Sequence, residues 1–224
     1  MNTEPTSLTL YAHPFSSYCQ KVLTALYENS TPFVYRKLGP EDPTAMTELE
    51  ALWPFKRFPL LVDGRQTIVE SSIIIEHLGL HHPGPVPLVP SDARAALDVR
   101  LMDRFFDIYV MTPMQKIVID CIRPAQSRDA YGVGEARALL DTGYRWLNQR
   151  LAGREWVAGS GFSLADCAAA PSLFYADWVQ PIDARLSQVR GYRQRLLARP
   201  SFARAVEEAR PYRQLFLPGA PARD

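Results

Sequence analysis

Ser16 and Ser17 stand where a short apolar run gives way to a helical pattern. Beyond them, Cys19, Val22 and Leu26 recur at the spacing of one helical face. The first amides of a helix have no partner within it and carry partial positive charge, so they favour an anion. A serine hydroxyl there either donates to such an anion or caps the helix, which stabilises it by about 1 kcal/mol. The sequence leaves both interpretations open.

Glu70 and Ser71 form a second pair at the start of a helical pattern, over residues 71–78. The hydroxyl of Ser71 and the free amides behind it can hold a carboxylate, and Glu70 can accept from an ammonium group. An α-amino acid carries both charges on one carbon, so the pair suits the amino-acid end of a ligand. A capped helix with an incidental acid is the alternative.

Further side chains with reactive chemistry have simpler interpretations. Tyr11 ends the first apolar run and is a second candidate donor to an anion, although strand tyrosines more often pack. Cys19 lies on the inward helical face and is expected to be a buried structural thiol, with a mixed disulfide as the alternative. His77 and His81 are four residues apart, but no third ligand is evident, so no metal is expected.

The elements that must position these residues follow the predicted order βαβαββα over the first eighty residues. The strongest strand signal is 58–69, where two apolar runs flank Asp63-Gly64, a dipeptide favoured in hairpin turns. The prolines within residues 83–91 exclude a helix interior there, and the hydrophobic spacing of the sequence beyond them is helical. We expect an α+β domain over 1–82, a Pro-rich linker over 83–91 and an all-α helical-bundle domain over 92–224.

The composition excludes several classes of function. The 224 residues carry a net charge of +1 with both signs interleaved, so no electrostatic footprint for nucleic acid is present. No apolar run reaches the roughly 20 residues that span a membrane. Three cysteines lie far apart, which suits a reducing compartment. We expect a cytoplasmic chain that binds neither nucleic acid nor membrane.

Three segments together resemble the cytosolic glutathione transferases, in particular the serine-type theta, delta and zeta classes. They are PFSSYCQKV at 14–22, PFKRFPLLVDG with IVESSIIIEHL at 54–64 and 68–78, and GFSLADCAAAP at 161–171. The resemblance runs from about residue 8 to residue 216. It implies a thioredoxin-like first domain, a helical second domain, glutathione as co-substrate and usually a homodimer that acts in detoxification.

The resemblance also assigns roles around the sulfur. Ser16 matches the serine that contacts the glutathione sulfur, and Ser17 is an auxiliary donor or the actual cap. Phe58 matches the residue whose backbone pairs with the cysteinyl part, and Pro59 is expected to be cis. Arg57 matches a basic or polar position near the cysteinyl-glycine part.

The two ends of the bound ligand are assigned in the same way. Glu70 and Ser71 match the pair that holds the γ-glutamyl end, whereas the glycine carboxylate is left to Lys37 or Lys56. A kink near Pro113 would bring apolar side chains to a pocket for the second substrate, with core packing as the alternative. The candidates for that pocket are Phe15, Tyr109, Met111 and Met114.

These roles imply that the thiol is activated by stabilising its anion. Lowering a thiol pKa from ~8.5 by about two units needs ~2.7 kcal/mol. A hydrogen bond to a charged acceptor supplies ~1.5–3 kcal/mol and a helix N-terminus ~0.3–1 kcal/mol. We therefore expect Ser16 to act as a donor, not as a base, so that the thiolate attacks an apolar electrophile.

Two alternative functions are compatible with the same residues. One is an isomerase or dehalogenase that uses glutathione, and the other is a non-catalytic module that binds a ligand or partner. The zeta pattern has a cysteine directly after the serine pair, where this chain has Tyr18. This departure argues against a maleylacetoacetate isomerase.

Overall fold

A four-stranded mixed sheet carries the first part of the chain in the computed structural model, which describes residues 8–224. The strands lie in the order β2-β1-β3-β4. β1 and β2 are parallel, and β3 is antiparallel to both β1 and β4. Their bounds are Thr9–Ala12 for β1, Val34–Lys37 for β2, Leu60–Asp63 for β3 and Gln66–Val69 for β4.

Three helices join and flank these strands and complete the predicted order βαβαββα. They are α1 (Ser17–Glu28), α2 (Pro43–Leu52) and α3 (Ser71–His81). α1 makes the crossover that a parallel strand pair requires. Its apolar face, together with α3, packs against one side of the sheet, while a smaller cluster around Leu49 and Leu60 covers the other side.

The β3–β4 hairpin confirms the turn that the Asp-Gly dipeptide predicts. Asp63 pairs with Gln66, so Gly64 and Arg65 form the two-residue connection. Gly64 has φ 59°, a conformation that glycine adopts without steric cost. The peptide bond between Phe58 and Pro59, just before β3, is cis as expected.

The remainder of the described chain is helical. The segment 83–92, which includes the predicted Pro-rich linker, contains no helix or strand. None of the helices within residues 8–224 has the length and apolar character needed to span a membrane. The helices are α4 (Ala93–Phe105), α5 (Thr112–Ile122), α6 (Ala130–Arg150), α7 (Leu164–Val179), α8 (Ser187–Ala198) and α9 (Pro200–Ala209).

α7 is the centre of the helical part. Almost all of its residues are buried, and the run of alanines lets neighbouring helices approach closely. It begins with a capping box, in which the Ser163 N–H donates to Asp166 Oδ2 at 2.9 Å. The apolar core is continuous from the sheet through α1 and α4 to this helix.

The chain stays helical on both sides of Pro113, the region where the sequence predicts a kink. A π-helical turn, Phe106–Met111, joins α4 directly to α5. The Thr112 N–H donates to the Asp107 carbonyl five residues back, and its hydroxyl donates to the same oxygen at 2.8 Å. Because a π turn holds one extra residue, it rotates the side chains that follow by about 100°.

Candidate active site

A cavity of about 600 Å³ opens at the N-terminal ends of α1 and α3; we call it the Ser16 cavity. Its far wall is formed by the end of α4, the π-helical turn and the start of α5. The residues predicted from sequence to bind glutathione all line it, together with the predicted sulfur donor. These are Ser16, Arg57, Phe58, Pro59, Glu70 and Ser71.

Ser16 is the N-cap of α1, and it also lines the cavity. Its backbone is extended, with φ −84° and ψ 125°, and its Oγ accepts from the Cys19 N–H at 3.5 Å. A hydroxyl has one proton to donate besides the lone pairs with which it accepts. Capping uses a lone pair only, so the two interpretations of this serine are compatible.

The other residues considered as partners of the glutathione sulfur are either hydrogen-bonded to another residue or buried. Tyr11 does not line the cavity, and its hydroxyl donates to Glu48 Oε2 at 2.8 Å. Burial and this carboxylate raise the pKa of Tyr11. Ser17 is buried as the first residue of α1 and does not cap it. Cys19 is fully buried as predicted, and burial raises its pKa to about 12.

The N-terminus of α3 presents Glu70 and Ser71 to the cavity. Glu70 caps the helix through its carbonyl, which accepts from the Ile74 N–H at 2.9 Å. Its φ of 71° is unusual for a residue with a side chain. Three non-glycine residues within 8–224 have positive φ, and two of them, Glu70 and Lys56, line the cavity. Backbone strain of this kind concentrates at binding sites.

The two lysines offered for the glycine carboxylate are placed differently. Lys56 lines the cavity beside Arg57 and pairs with Glu50 at 3.0 Å on the surface. Lys37 does not line it, and its ammonium group lies 5.4 Å from the centre of the Tyr35 ring. The geometry therefore favours Lys56.

The four candidates for a second-substrate pocket lie outside the Ser16 cavity. Met111 and Met114 are buried in the helical core, which is the alternative that the sequence left open. Phe15 packs edge-on against Tyr175 at 5.4 Å, and Tyr109 packs against Phe105 at 5.7 Å. None of the four lines the cavity. The helical wall is instead mainly polar, with Arg104, Asp107, Ile108, Thr112 and Gln115.

Sequence reasoning also missed Tyr18. It lines the cavity two residues after Ser16, and its pKa is raised to about 12 by burial first and by Asp107 second. Tyr18 is therefore a neutral hydroxyl at pH 7. Its position directly after the serine pair was the available signal.

A buried ionic network lies behind the helical wall. The Lys21 ammonium group is inaccessible to solvent and contacts Asp103 Oδ1 at 2.6 Å and Asp107 Oδ2 at 3.0 Å. It also donates to Ser72 Oγ at 2.9 Å, and Arg104 pairs with Asp107 from the cavity side. Burial raises the pKa of Asp107, against the opposing effect of Lys21. The signals were a lysine on the inner face of α1 and two aspartates four residues apart.

Comparison with known proteins identifies both parts of the chain. Residues 10–86 match the model of the glutathione S-transferase N-terminal domain, and residues 124–195 match that of the C-terminal domain. A probable maleylacetoacetate isomerase from Vibrio cholerae is 27% identical over 221 residues, covering 92% of this chain and 98% of that protein.

Solved structures show the same fold. A glutathione S-transferase from Methylobacterium radiotolerans, in complex with glutathione sulfonate, is 29% identical with a TM-score of 0.78. The match covers 90% of this chain and 95% of that one. A glutathione S-transferase from Methylobacillus flagellatus with glutathione bound is 23% identical with a TM-score of 0.80, covering 89% and 98%. Because its sequence identity is only 23%, this second match shows a shared fold and nothing more.

Proposed function

The chain belongs to the glutathione S-transferase family, and from this we propose that the Ser16 cavity binds glutathione and activates its thiol for attack on an electrophile. One observation carries the proposal: two helices, α1 and α3, begin at the same cavity with Ser16 and Ser71. Each N-terminus favours an anion. Glutathione offers a thiolate and a carboxylate as the two anions. The glutathione sulfonate held by the Methylobacterium relative supports the choice of ligand.

In this proposal Ser71 and the α3 amides hold the γ-glutamyl carboxylate, and Glu70 accepts from the neighbouring ammonium group. The backbone of Phe58 beside Pro59 pairs with the cysteinyl part. Arg57 and Lys56, two basic residues that also line the cavity, then hold the glycine carboxylate. In this arrangement, the glutathione sulfur lies at the N-terminus of α1.

Ser16 stabilises the thiolate by donating its free proton to the sulfur. An alcohol is far too weak a base to remove the thiol proton, so the proton leaves to solvent. The hydrogen bond and the partial charge of the α1 N-terminus together are worth about 2–4 kcal/mol, enough for a lowering of the thiol pKa by about two units. Orientation of the electrophile against the sulfur supplies the rest of the acceleration.

Calorimetry with glutathione and a conjugation assay with a chloronitrobenzene test this proposal. We expect binding, turnover, and a loss of affinity of at least fivefold in Ser71→Ala. Ser187→Ala is the matched control, because Ser187 begins α8 and does not line the cavity. No binding at millimolar glutathione would contradict the proposal, whereas binding without turnover would favour a ligand-binding module.

A glutathione-dependent isomerase is the second candidate, supported by the Vibrio relative and by the polar helical wall. Thiolate addition to a cis double bond forms a C–S bond, rotation follows about the resulting single bond, and elimination returns glutathione and the trans product. Arg104 and Gln115 suit a carboxylate-bearing substrate better than an apolar one. Isomerisation of maleylacetoacetate without consumption of glutathione would favour this candidate over conjugation.

A further inference from the structure

Asp63, His77 and His82 bring three metal-ligating side chains together at the end of β3. Asp63 Oδ2 lies 2.9 Å from His77 Nε2 and 2.7 Å from His82 Nε2. One ligand atom of each residue lies within 4.8 Å of the others. None of the three residues lines the Ser16 cavity, so the cluster is separate from the proposed glutathione site.

The end of α3 explains why the sequence pattern suggested a different histidine pair. His81 is four residues after His77, and the two rings pack with centroids 4.5 Å apart, but His81 offers no atom to the cluster. His82 is the C-cap, with φ −135° and ψ 53°. In a continuous helix, residues five apart point about 140° away from each other. The non-helical backbone at His82 therefore allows its ring to turn toward His77 and Asp63.

We propose that Asp63, His77 and His82 bind a zinc ion. Two imidazole nitrogens and one carboxylate oxygen form a three-ligand set typical of zinc, with a fourth position left to water. Mg²⁺ and Ca²⁺ prefer oxygen ligands, so two imidazoles select against them. Zinc bonds of about 2.0–2.2 Å place tetrahedral ligand atoms about 3.3–3.5 Å apart. Side-chain rotations that widen the present O···N separations of 2.9 and 2.7 Å by about 0.4–0.8 Å would therefore accompany binding.

The surroundings of the cluster suit an ion that ties two elements together. The side chains are 13% exposed at Asp63, 11% at His77 and 26% at His82, so the ion can enter and keep one water. Asp63 belongs to the β3–β4 hairpin, whereas His82 leads into the Pro-rich segment. A bound ion joins the hairpin to the end of α3, and its binding energy becomes folding energy.

Zinc binding is measured on the full chain after chelation and desalting, without glutathione. Calorimetry with zinc chloride should give one ion per chain, and Co²⁺ should give the visible absorption of a tetrahedral site. Asp63→Asn and His77→Gln should each weaken binding at least tenfold. His81→Gln is the matched control and should stay within twofold of the unmodified chain. Zinc at a hundred times its Kd should raise Tm by about 5–10 °C, and not in His77→Gln.

Three results would overturn the proposal. The unmodified chain could take up no stoichiometric zinc at micromolar concentration, which would leave the cluster as hydrogen bonds only. His81→Gln could lose as much affinity as His77→Gln. Binding could survive His77→Gln and disappear in Cys121→Ser, which would assign the ion to the exposed thiol. His82→Gln lies outside the helix and repeats the test if His77→Gln is poorly folded by circular dichroism.

Discussion

Ser16 caps α1 and is the proposed donor to the thiolate, and these two roles use different parts of one hydroxyl. Its lone pair accepts from the Cys19 N–H at 3.5 Å, a long hydrogen bond. In the proposal, its proton is donated to the thiolate. By contrast, the Tyr11 proton is committed to Glu48. At the scale of single residues, the choice of donor is therefore decided by which hydroxyl proton is already in use.

Tyr11→Phe should leave turnover within twofold of the unmodified protein, because Tyr11 does not line the cavity. The same change should lower the free energy of unfolding by about 1 kcal/mol through the lost hydrogen bond to Glu48. Steady-state assays and urea denaturation measure the two effects. A turnover loss of tenfold or more would identify Tyr11 as a participant in the reaction.

The three thiols should differ in reactivity. Burial raises the pKa of Cys19 to about 12, so at pH 8 almost none of it is thiolate, and Cys167 is equally buried. Cys121 is exposed. Brief treatment with iodoacetamide, followed by peptide mass spectrometry, should modify Cys121 alone in the folded protein. Modification of Cys19 at a comparable rate would support the mixed-disulfide alternative.

At the scale of elements, the Lys21 network joins α1, α3 and α4 behind the cavity wall. It holds two carboxylates in the interior, and the arrangement is stable because Lys21 and Arg104 both face them. Removing one partner of a buried ion pair leaves an uncompensated charge. The network therefore fixes the wall that carries Arg104 and Asp107.

Lys21→Met should lower the free energy of unfolding by about 3–5 kcal/mol, because it strands buried carboxylates. Lys116→Met is the control, since Lys116 forms a half-exposed pair with Asp129 at 3.8 Å and should cost less than ~1 kcal/mol. Urea denaturation at pH 7 gives both values. Equal losses in the two variants would show that the network contributes no more than a surface pair.

The sequence predicted the elements that depend on local signals. The order of strands and helices and the hairpin at Gly64 follow from neighbouring residues and are present. The π-helical turn and the Lys21 network could not be predicted, because they arise from packing between distant segments. The contact of Asp63 with His77 and His82 could not be predicted either, for the same reason. The resemblance to the family placed Ser16 and Ser71 at one cavity, which spacing alone could not.

The isolated chain leaves an apolar face exposed on α4. Leu97 and Leu101 are one turn apart and are 66% and 59% exposed. Exposed apolar residues that form a contiguous patch are normally covered by a binding partner. A second copy of the chain is the partner that the family resemblance implies, so we expect a homodimer that buries this face.

Leu101→Glu should convert the dimer to a monomer, because it places a charge in the covered face. Leu217→Glu is the matched control, since Leu217 is 63% exposed near the end of the chain and on no helix. Analytical ultracentrifugation at micromolar concentration separates the two states. A Leu101→Glu variant that sediments as the unmodified protein does would place the interface elsewhere.

The ultraviolet absorbance of bound glutathione against pH tests whether Ser16 stabilises the thiolate at the N-terminus of α1. The thiol bound to the unmodified protein should titrate about two units below free glutathione. In Ser16→Ala it should move back toward ~8.5 by about one to two units, the equivalent of one hydrogen bond to an anion. A titration unchanged by Ser16→Ala, or one moved by Tyr11→Phe alone, would show that Ser16 does not stabilise the thiolate.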